Sequence, residues 1–308
     1  MSKTVLVTGG YGFIGSHLVE RLVSEGYQVR VADNLSTGKI ENLEGVSNYE
    51  SHIGDLSEFD FAKIVTRDVE FVLHHAATPS VFESIIAPFE NQKNGEIALL
   101  NVLQGAIQNG VRRVIFASSA SVYGGNGYFP HLKENMPLHP KSPYAASKVA
   151  GEAYMSAFAD RGLETISLRY FNIFGKRQDP KSPYSGVVSI FSDRMRKGEL
   201  ITVFGDGKQT RDFTHVDNVV HANVLALTDR MKPNGWQVNI GCGEAISISE
   251  LIETLEDILS VEAKISYGDS RPGDIKEAYA AIGLALGALG YEPIMPFKKG
   301  LRKYLKGK

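Results

Sequence analysis

Hydrophobic positions along the first 170 residues alternate between two periods. Short, nearly continuous apolar runs occur at "TVLVTG", "QVRVAD", "EFVLHHAA", "RRVIFASS" and "ETISLRY", each ending in small or polar residues. Between them lie segments of helical period. In "FIGSHLVERLVSEG", Phe13, Ile14, Leu18, Leu22 and Val23 share one face and Gly26 is a stop signal. "GEIALLNVLQGAIQNGV" is another long helix of this kind. Strands without polar alternation are buried on both faces. Strand–helix–strand repetition therefore predicts a parallel sheet covered by helices on each side.

After about residue 172 the rhythm breaks. "FGKRQDPKSPYSG" is rich in Pro, Gly and charge and reads as a long functional loop. Shorter elements follow: helix "VVSIFSDRMRKG", strand "ITVFG", helix "FTHVDNVVHANVLALTDRM", strand "WQVNIG" and the serine-capped helix "SISELIETLEDILS". The expected fold class is α/β: a Rossmann-like doubly wound parallel sheet with a smaller, discontinuous C-terminal α/β substrate domain. The division is 1–171 for the nucleotide-binding domain, with a segment near 212–242 returning to it. Residues 172–211 and 243–308 form the substrate domain. No internal repeat or low-complexity segment interrupts this plan.

Composition narrows the function. Among 308 residues, 33 Lys and Arg face 35 Asp and Glu, a formal net charge of −2, which argues against a general nucleic-acid binder. A single cysteine, Cys242, excludes an intramolecular disulfide and a cysteine-cluster metal site. No apolar run reaches the roughly 20 residues a bilayer-spanning helix needs, and no signal-type pattern precedes the first strand. A soluble, cytoplasmic protein is expected, without membrane or nucleic-acid partners. No histidine spacing assembles a metal site, and none is expected.

The first candidate chemistry is "VTGGYGFIG". Gly9, Gly12 and Gly15 stand at three-residue intervals between a strand and a helix. There the chain must turn tightly, the backbone must approach a pyrophosphate and the helix must pack closely on the strand. The helix N–H groups and dipole then hold phosphate charge. Asp33, at the end of "QVRVAD", is placed to accept ribose hydroxyls and to repel a 2′-phosphate, which favours NAD over NADP. Asp55 in "IGDL" ends a third strand and is placed to reach the adenine.

The second is "SPYAASK". Pro143 suits the first turn of a helix. Tyr144 and Lys148 then lie four apart on one face. Oxidising a secondary alcohol removes a proton from oxygen while a hydride leaves carbon. An unperturbed tyrosine, with a pKa of roughly 10, is a poor base at neutral pH. A neighbouring lysine and a cationic nicotinamide both favour phenolate. Lowering the value by ~3 units corresponds to ~4 kcal/mol of differential stabilisation.

The ordered set "TGGYGFIG", "HHAA", "SSASVYG", "PYAASK", "LRYFNIFG", "GDGKQTRDFTHVDN" and "SRPGD" spans nearly the whole chain. It resembles the extended short-chain dehydrogenase/reductase superfamily, and within it the NAD-dependent epimerases and dehydratases acting on nucleotide sugars, most closely those of the UDP-hexose 4-epimerase kind. The resemblance implies a catalytic set of Ser119, Tyr144 and Lys148, with Ser118 as the alternative serine. It implies NAD bound by Gly9, Gly12, Phe13, Ile14, Gly15, Asp33, Asn34, Asp55, Leu56, Ala76 and Asn94, together with Tyr144 and Lys148. It implies a UDP-sugar substrate. Thr78, Ser80 and Ser119 would lie at the sugar, Asn172 and Arg211 at the diphosphate, and Arg271 with Asp274 at the diphosphate and uridine ribose. Ala278 stands where a bulky residue would shut out an N-acetyl group, so alanine implies room for one. The family's usual pairing through two long helices, here near 92–109 and 144–160, implies a homodimer.

The implied reaction is epimerisation at carbon 4 of a UDP-hexose through a transient 4-keto sugar. The alternatives are 4,6-dehydration, decarboxylation, or an inactive NAD-binding protein. Related dehydratases carry Asp-Glu after the strand-end serine or threonine; here those positions are Ala120 and Ser121. The chain also departs from the family at Pro79, where lysine is frequent, and at Ala281, where aspartate is usual.

Overall fold

The computed structural model describes residues 3–124, 130–180, 186–228, 230, 232–269 and 276–306. Seven strands form one sheet: β1 (Thr4–Thr8), β2 (Gln28–Asp33), β3 (Tyr49–Ile53), β4 (Phe71–His74), β5 (Arg113–Ser119), β6 (Glu164–Tyr170) and β7 (Asn234–Ile240). All neighbours pair in parallel, in the order β7-β6-β5-β4-β1-β2-β3. The order reverses between β1 and β4, so connections diverge there and leave a crevice beyond the carboxyl ends of the strands.

The longer helices are α1 (Phe13–Ser24), α2 (Phe59–Val65), α3 (Ala98–Asn109), α4 (Pro143–Ala159), α5 (Val187–Arg196), α6 (Val216–Ala226), α7 (Ile248–Leu259), α8 (Gly283–Leu289) and α9 (Phe297–Lys306). Successive strand residues point to opposite faces, and this divides the core. Val5, Val7, Val31 and Ile166 meet Leu18 and Leu22 of α1 and Val219 of α6. Leu6, Val72 and Val114, from the alternate positions, meet Ala62 of α2, Leu103 of α3 and Met155 of α4. With both faces covered, the apolar runs need no polar alternation.

A separate core built from Phe191, Ile201, Val203, Phe213, Leu251, Leu255, Phe297 and Leu301 holds the smaller lobe together. One segment departs from the division expected from sequence. Ala285 and Leu289 of α8, with Tyr291, pack into the first core of the main sheet. The tyrosine hydroxyl donates to the Gly241 carbonyl at 2.9 Å. The chain thus returns to the nucleotide-binding lobe twice, at α6–β7 and again at α8, because the apolar side of "GLALGAL" has a place against β7 and α6.

Candidate active site

The crevice is a cavity of about 520 Å³. At its phosphate end, the chain leaves β1 through Gly9, whose φ of +66° is left-handed. A Cβ there would sit 2.9 Å from the Ala76 nitrogen. Gly15 is more constrained: its Cβ would lie 2.0 Å from the Gly9 carbonyl. The α1 N-terminus has no side-chain cap, leaving its first-turn N–H groups to face the cavity. Asp33, at the end of β2, accepts the Tyr11 and Leu35 N–H groups at 2.9 and 2.8 Å. These bonds aim its carboxylate into the cavity wall beside Asn34. Asp55 and Leu56 follow β3, and Ala76 follows β4. Glycines that a Cβ would fill, an uncapped helix start and a fixed carboxylate at the second strand suit a dinucleotide with an unphosphorylated ribose.

The catalytic end is built by β5 and α4. Ser142 caps α4 by accepting the Ala145 N–H at 3.1 Å, and Pro143 occupies its first position. Tyr144 is thereby fixed in the first turn, with its hydroxyl near the Ser119 side chain at the end of β5. Lys148 lies one turn further, donates to the Ala117 carbonyl at 2.8 Å, and sits 5.6 Å from the Tyr144 ring centroid. Ser118 also borders the cavity, but its hydroxyl is committed to Glu152, to which it donates at 2.6 Å, whereas the Ser119 side chain lies by Tyr144. Desolvation pushes the Tyr144 hydroxyl above its ordinary range, and the neighbouring Ser119 only partly offsets this. Lys148 is itself brought down to about 8 by burial, against the pull of Glu152.

The remaining candidates divide. Asn172, Arg211, Thr78, Asn94 and Ala278 all line the cavity. Asn94 donates to Thr78 at 3.3 Å from within a π-turn, Lys93–Ile97, that interrupts the helix leading into α3. Asn172 has a φ of +28° and donates to the Asp212 carbonyl at 3.2 Å. Ser80 does not belong to the cavity wall. It is buried and caps the short helix Val81–Ile86, accepting the Glu83 N–H at 3.0 Å. A serine three residues before a glutamate carries a capping signal that could have shown this. Arg271 and Asp274 lie outside the described residues.

The structure adds groups the motifs did not show. His75 Nε2 pairs with the Tyr170 hydroxyl at 2.9 Å, and both line the cavity. Burial holds His75 at about 3, so it is a neutral wall group. The Ser121 hydroxyl and the Gln178 carbonyl oxygen are buried without a partner in this wall. A second cavity, of about 600 Å³, opens between α5 and the strand Ile201–Phe204. It shares Asn172, Ile173 and Arg211 with the first.

A doubly wound sheet with this glycine turn and a Ser–Tyr–Lys set on one cavity wall defines a Rossmann-type nicotinamide-dependent protein of the short-chain dehydrogenase/reductase kind. Residues 5–241 match the NAD dependent epimerase/dehydratase family, and the chain belongs to it. It is 35% identical over 309 residues to a UDP-glucose 4-epimerase of Mycolicibacterium smegmatis, covering 97% of this chain and 96% of that protein. A UDP-glucose 4-epimerase from Thermotoga maritima, solved with UDP-glucose, superposes with a TM-score of 0.93 at 37% identity, covering 98% of this chain and 97% of that one. A UDP-N-acetylglucosamine 4-epimerase from Methanobrevibacter ruminantium M1, in complex with UDP-N-acetylmuramic acid, gives 0.92 at 38% identity, covering 99% and 97%.

Proposed function

We propose that the protein interconverts UDP-hexoses epimeric at carbon 4, UDP-glucose with UDP-galactose and also their N-acetylated counterparts. The observation that carries this reading is that Ser119, Tyr144 and Lys148 line one wall of a dinucleotide-sized cavity that adjoins a second one. Tyr144 Oη takes the proton of the sugar 4-hydroxyl, with the Ser119 hydroxyl between them as a relay and anchor. Gly9, Gly12, Gly15, Asp33 and Lys148 would hold NAD, which would supply a positive charge and a site able to take and return a hydride. Lys148, four residues on, sets the field at Tyr144 and lies within reach of the nicotinamide ribose. Arg211 and Asn172, shared by the two cavities, suit the diphosphate, the arginine as a forked donor. The nucleoside end then occupies the second cavity. Substrate and product have the same oxidation level, so no second substrate is required.

Dehydration needs a further acid and base near carbons 5 and 6. Among the described lining residues the carboxylates are Asp33 and Asp55, both at the adenosine end. The epimerase reading is favoured for that reason. Ala278 lines the cavity, and on this reading its small side chain stands at the sugar, where a larger residue would shut out an N-acetyl group. The deciding experiment incubates the purified protein with UDP-galactose and then with UDP-N-acetylgalactosamine and resolves the epimers. Turnover of both is expected. N-acetyl turnover below about a thousandth of the UDP-galactose efficiency would sink the broader specificity, and a 4-keto-6-deoxy product would sink the epimerase reading.

The same reading includes a homodimer. Phe82, Ile85, Ile86 and Phe89 are exposed on the short helices Val81–Ile86 and Pro88–Gln92, which pack against α4. Phe89 is 84% exposed, which is unusual for a large aromatic beside so many other apolar groups. A second copy placing its own helices there covers this surface with like against like.

A further inference from the structure

Behind the catalytic wall lies a closed polar network. Glu152 is one turn beyond Lys148 on α4, and only 4% exposed. Its carboxylate accepts Arg169 Nε at 2.8 Å, an Arg169 terminal nitrogen at 2.7 Å and the Ser118 hydroxyl at 2.6 Å. Arg169, on β6 and 2% exposed, also donates to the Tyr123 hydroxyl at 2.9 Å and the Glu134 carbonyl at 3.2 Å. The Tyr123 hydroxyl donates in turn to Asn239 of β7 at 2.7 Å.

A buried ion pair is a poor stabilising device, because desolvation of both ions consumes most of their attraction and apolar replacements often do as well. Its position is more informative than its strength. It lies directly behind two parts of the reacting centre. One is the strand end Ala117–Ser118–Ser119, whose successive groups meet Lys148, Glu152 and Tyr144. The other is Lys148 itself, which has no solvent to support its charge. Its ammonium sits 4.7 Å from the Phe116 ring centroid.

We propose that Glu152 is a positioning residue: its charge keeps Lys148 in the ammonium form within a dry site, and its bond to Ser118 fixes the strand end that presents Ser119 to Tyr144. Among the described residues the charged and titratable groups around this centre are few, and they include Tyr170, whose hydroxyl pairs with His75. On α4 they are Tyr144, Lys148 and Glu152. His74 and His75 at the end of β4 are neutral, since burial holds both at about 3. Arg169 comes from β6, Tyr123 from the turn after β5, and Glu134 from the following loop. Of the charged groups, Glu152 is the one whose attraction supports the Lys148 charge against burial. The inference rests on the epimerase reading only in taking Tyr144 as the base that the ammonium serves.

The test is an NMR titration of the Lys148 ε-carbon in NAD-saturated protein with carbon-13-labelled lysines, the signal being assigned by its loss in Lys148→Met. Glu152→Gln keeps the hydrogen-bonding shape and removes the charge. Its Lys148 midpoint is expected to fall by at least about one pH unit, which is about tenfold less ammonium at a fixed pH above both midpoints. Glu152→Asp is expected to restore most of the shift. On UDP-galactose, kcat near neutral pH should fall while KM changes little. If the single variant does not fold, Glu152→Gln/Arg169→Gln leaves no unpaired buried charge and reads the same midpoint. A lower melting temperature with an unchanged Lys148 midpoint, in whichever variant folds, would show a merely structural role and overturn the proposal. The titration uses no sugar. A shifted midpoint in a protein that turns over no UDP-hexose would therefore support this inference and overturn the epimerase reading.

Discussion

At the scale of single residues, the proposed reading concentrates the chemistry in Tyr144. Desolvation raises its phenol above the ordinary range, and the neighbouring Ser119 partly offsets this. Replacing Tyr144 with Phe removes the proton acceptor and little volume. The expected result is a loss of about 10²–10⁴-fold in kcat with NAD binding retained, measured by epimer analysis alongside cofactor content. Full activity would overturn the assignment of the base. Tyr144, Lys148 and Asp33 were legible in the sequence because helix spacing and strand ends are local properties. The direction of the Tyr144 shift was not. It depends on how much solvent the closed site excludes, and spacing along a helix carries no information about that. Ser118 and Ser80 show the same limit. Serine is equally at home facing a substrate, capping a helix or bonding a buried carboxylate, and only the neighbours decide.

At the scale of elements, the β1–α1 turn is the part proposed to position the cofactor. Gly15 has no room for a side chain, because its Cβ would lie 2.0 Å from the Gly9 carbonyl. Gly15→Ala must therefore displace backbone in the phosphate cradle. NAD affinity should fall by at least about tenfold, with the sheet core intact, as read by cofactor retention and by thermal melting with and without added NAD. Unchanged affinity would mean that the dinucleotide does not approach this turn. The strand and helix pattern of residues 4–170 was readable because the inner strands are buried on both faces and each long helix on one, while the edge strand β3, largely exposed, carries no such apolar run. The π-turn at Lys93–Ile97, which carries Asn94, was not readable. One extra residue in a helical turn leaves the hydrophobic period almost unchanged, and such interruptions are frequent at functional sites. The place of α8 against the main sheet was not readable either, since "GLALGAL" states only that an apolar side must be buried.

At the scale of the whole molecule, two properties follow from burial. His74 is fully buried and His75 half-buried at the cavity wall, and desolvation holds both at about 3, well below the ordinary histidine value. The unfolded chain binds protons at both between about pH 6.5 and 3, where the folded chain does not, so stability falls as pH drops through that window. Each histidine contributes a slope of up to about 1.4 kcal/mol per pH unit. Asp212, raised to about 6 by burial, acts in the opposite sense between about 4 and 6, but as one group against two. Urea unfolding at pH 7 and pH 5 should give a lower midpoint at pH 5, and His74→Gln should reduce the difference. An equal or higher midpoint at pH 5 would contradict this. The second property is association. Sedimentation velocity should show a dimer for the native chain, shifted toward monomer by Phe89→Glu with Ile86→Glu; a native monomer at micromolar concentration would remove the dimer from the proposal. The sequence by itself determined the nucleotide-binding architecture, the cofactor turn and the Tyr–Lys pair, because each is set by spacing along one or two adjacent elements. Only the tertiary structure decided which serine lies by Tyr144, that a second cavity adjoins the first, and that Glu152 and Arg169 stand behind Lys148. Those relations join residues distant along the chain, and their energies depend on exclusion of water, which exists only once the sheet and both lobes have closed around them.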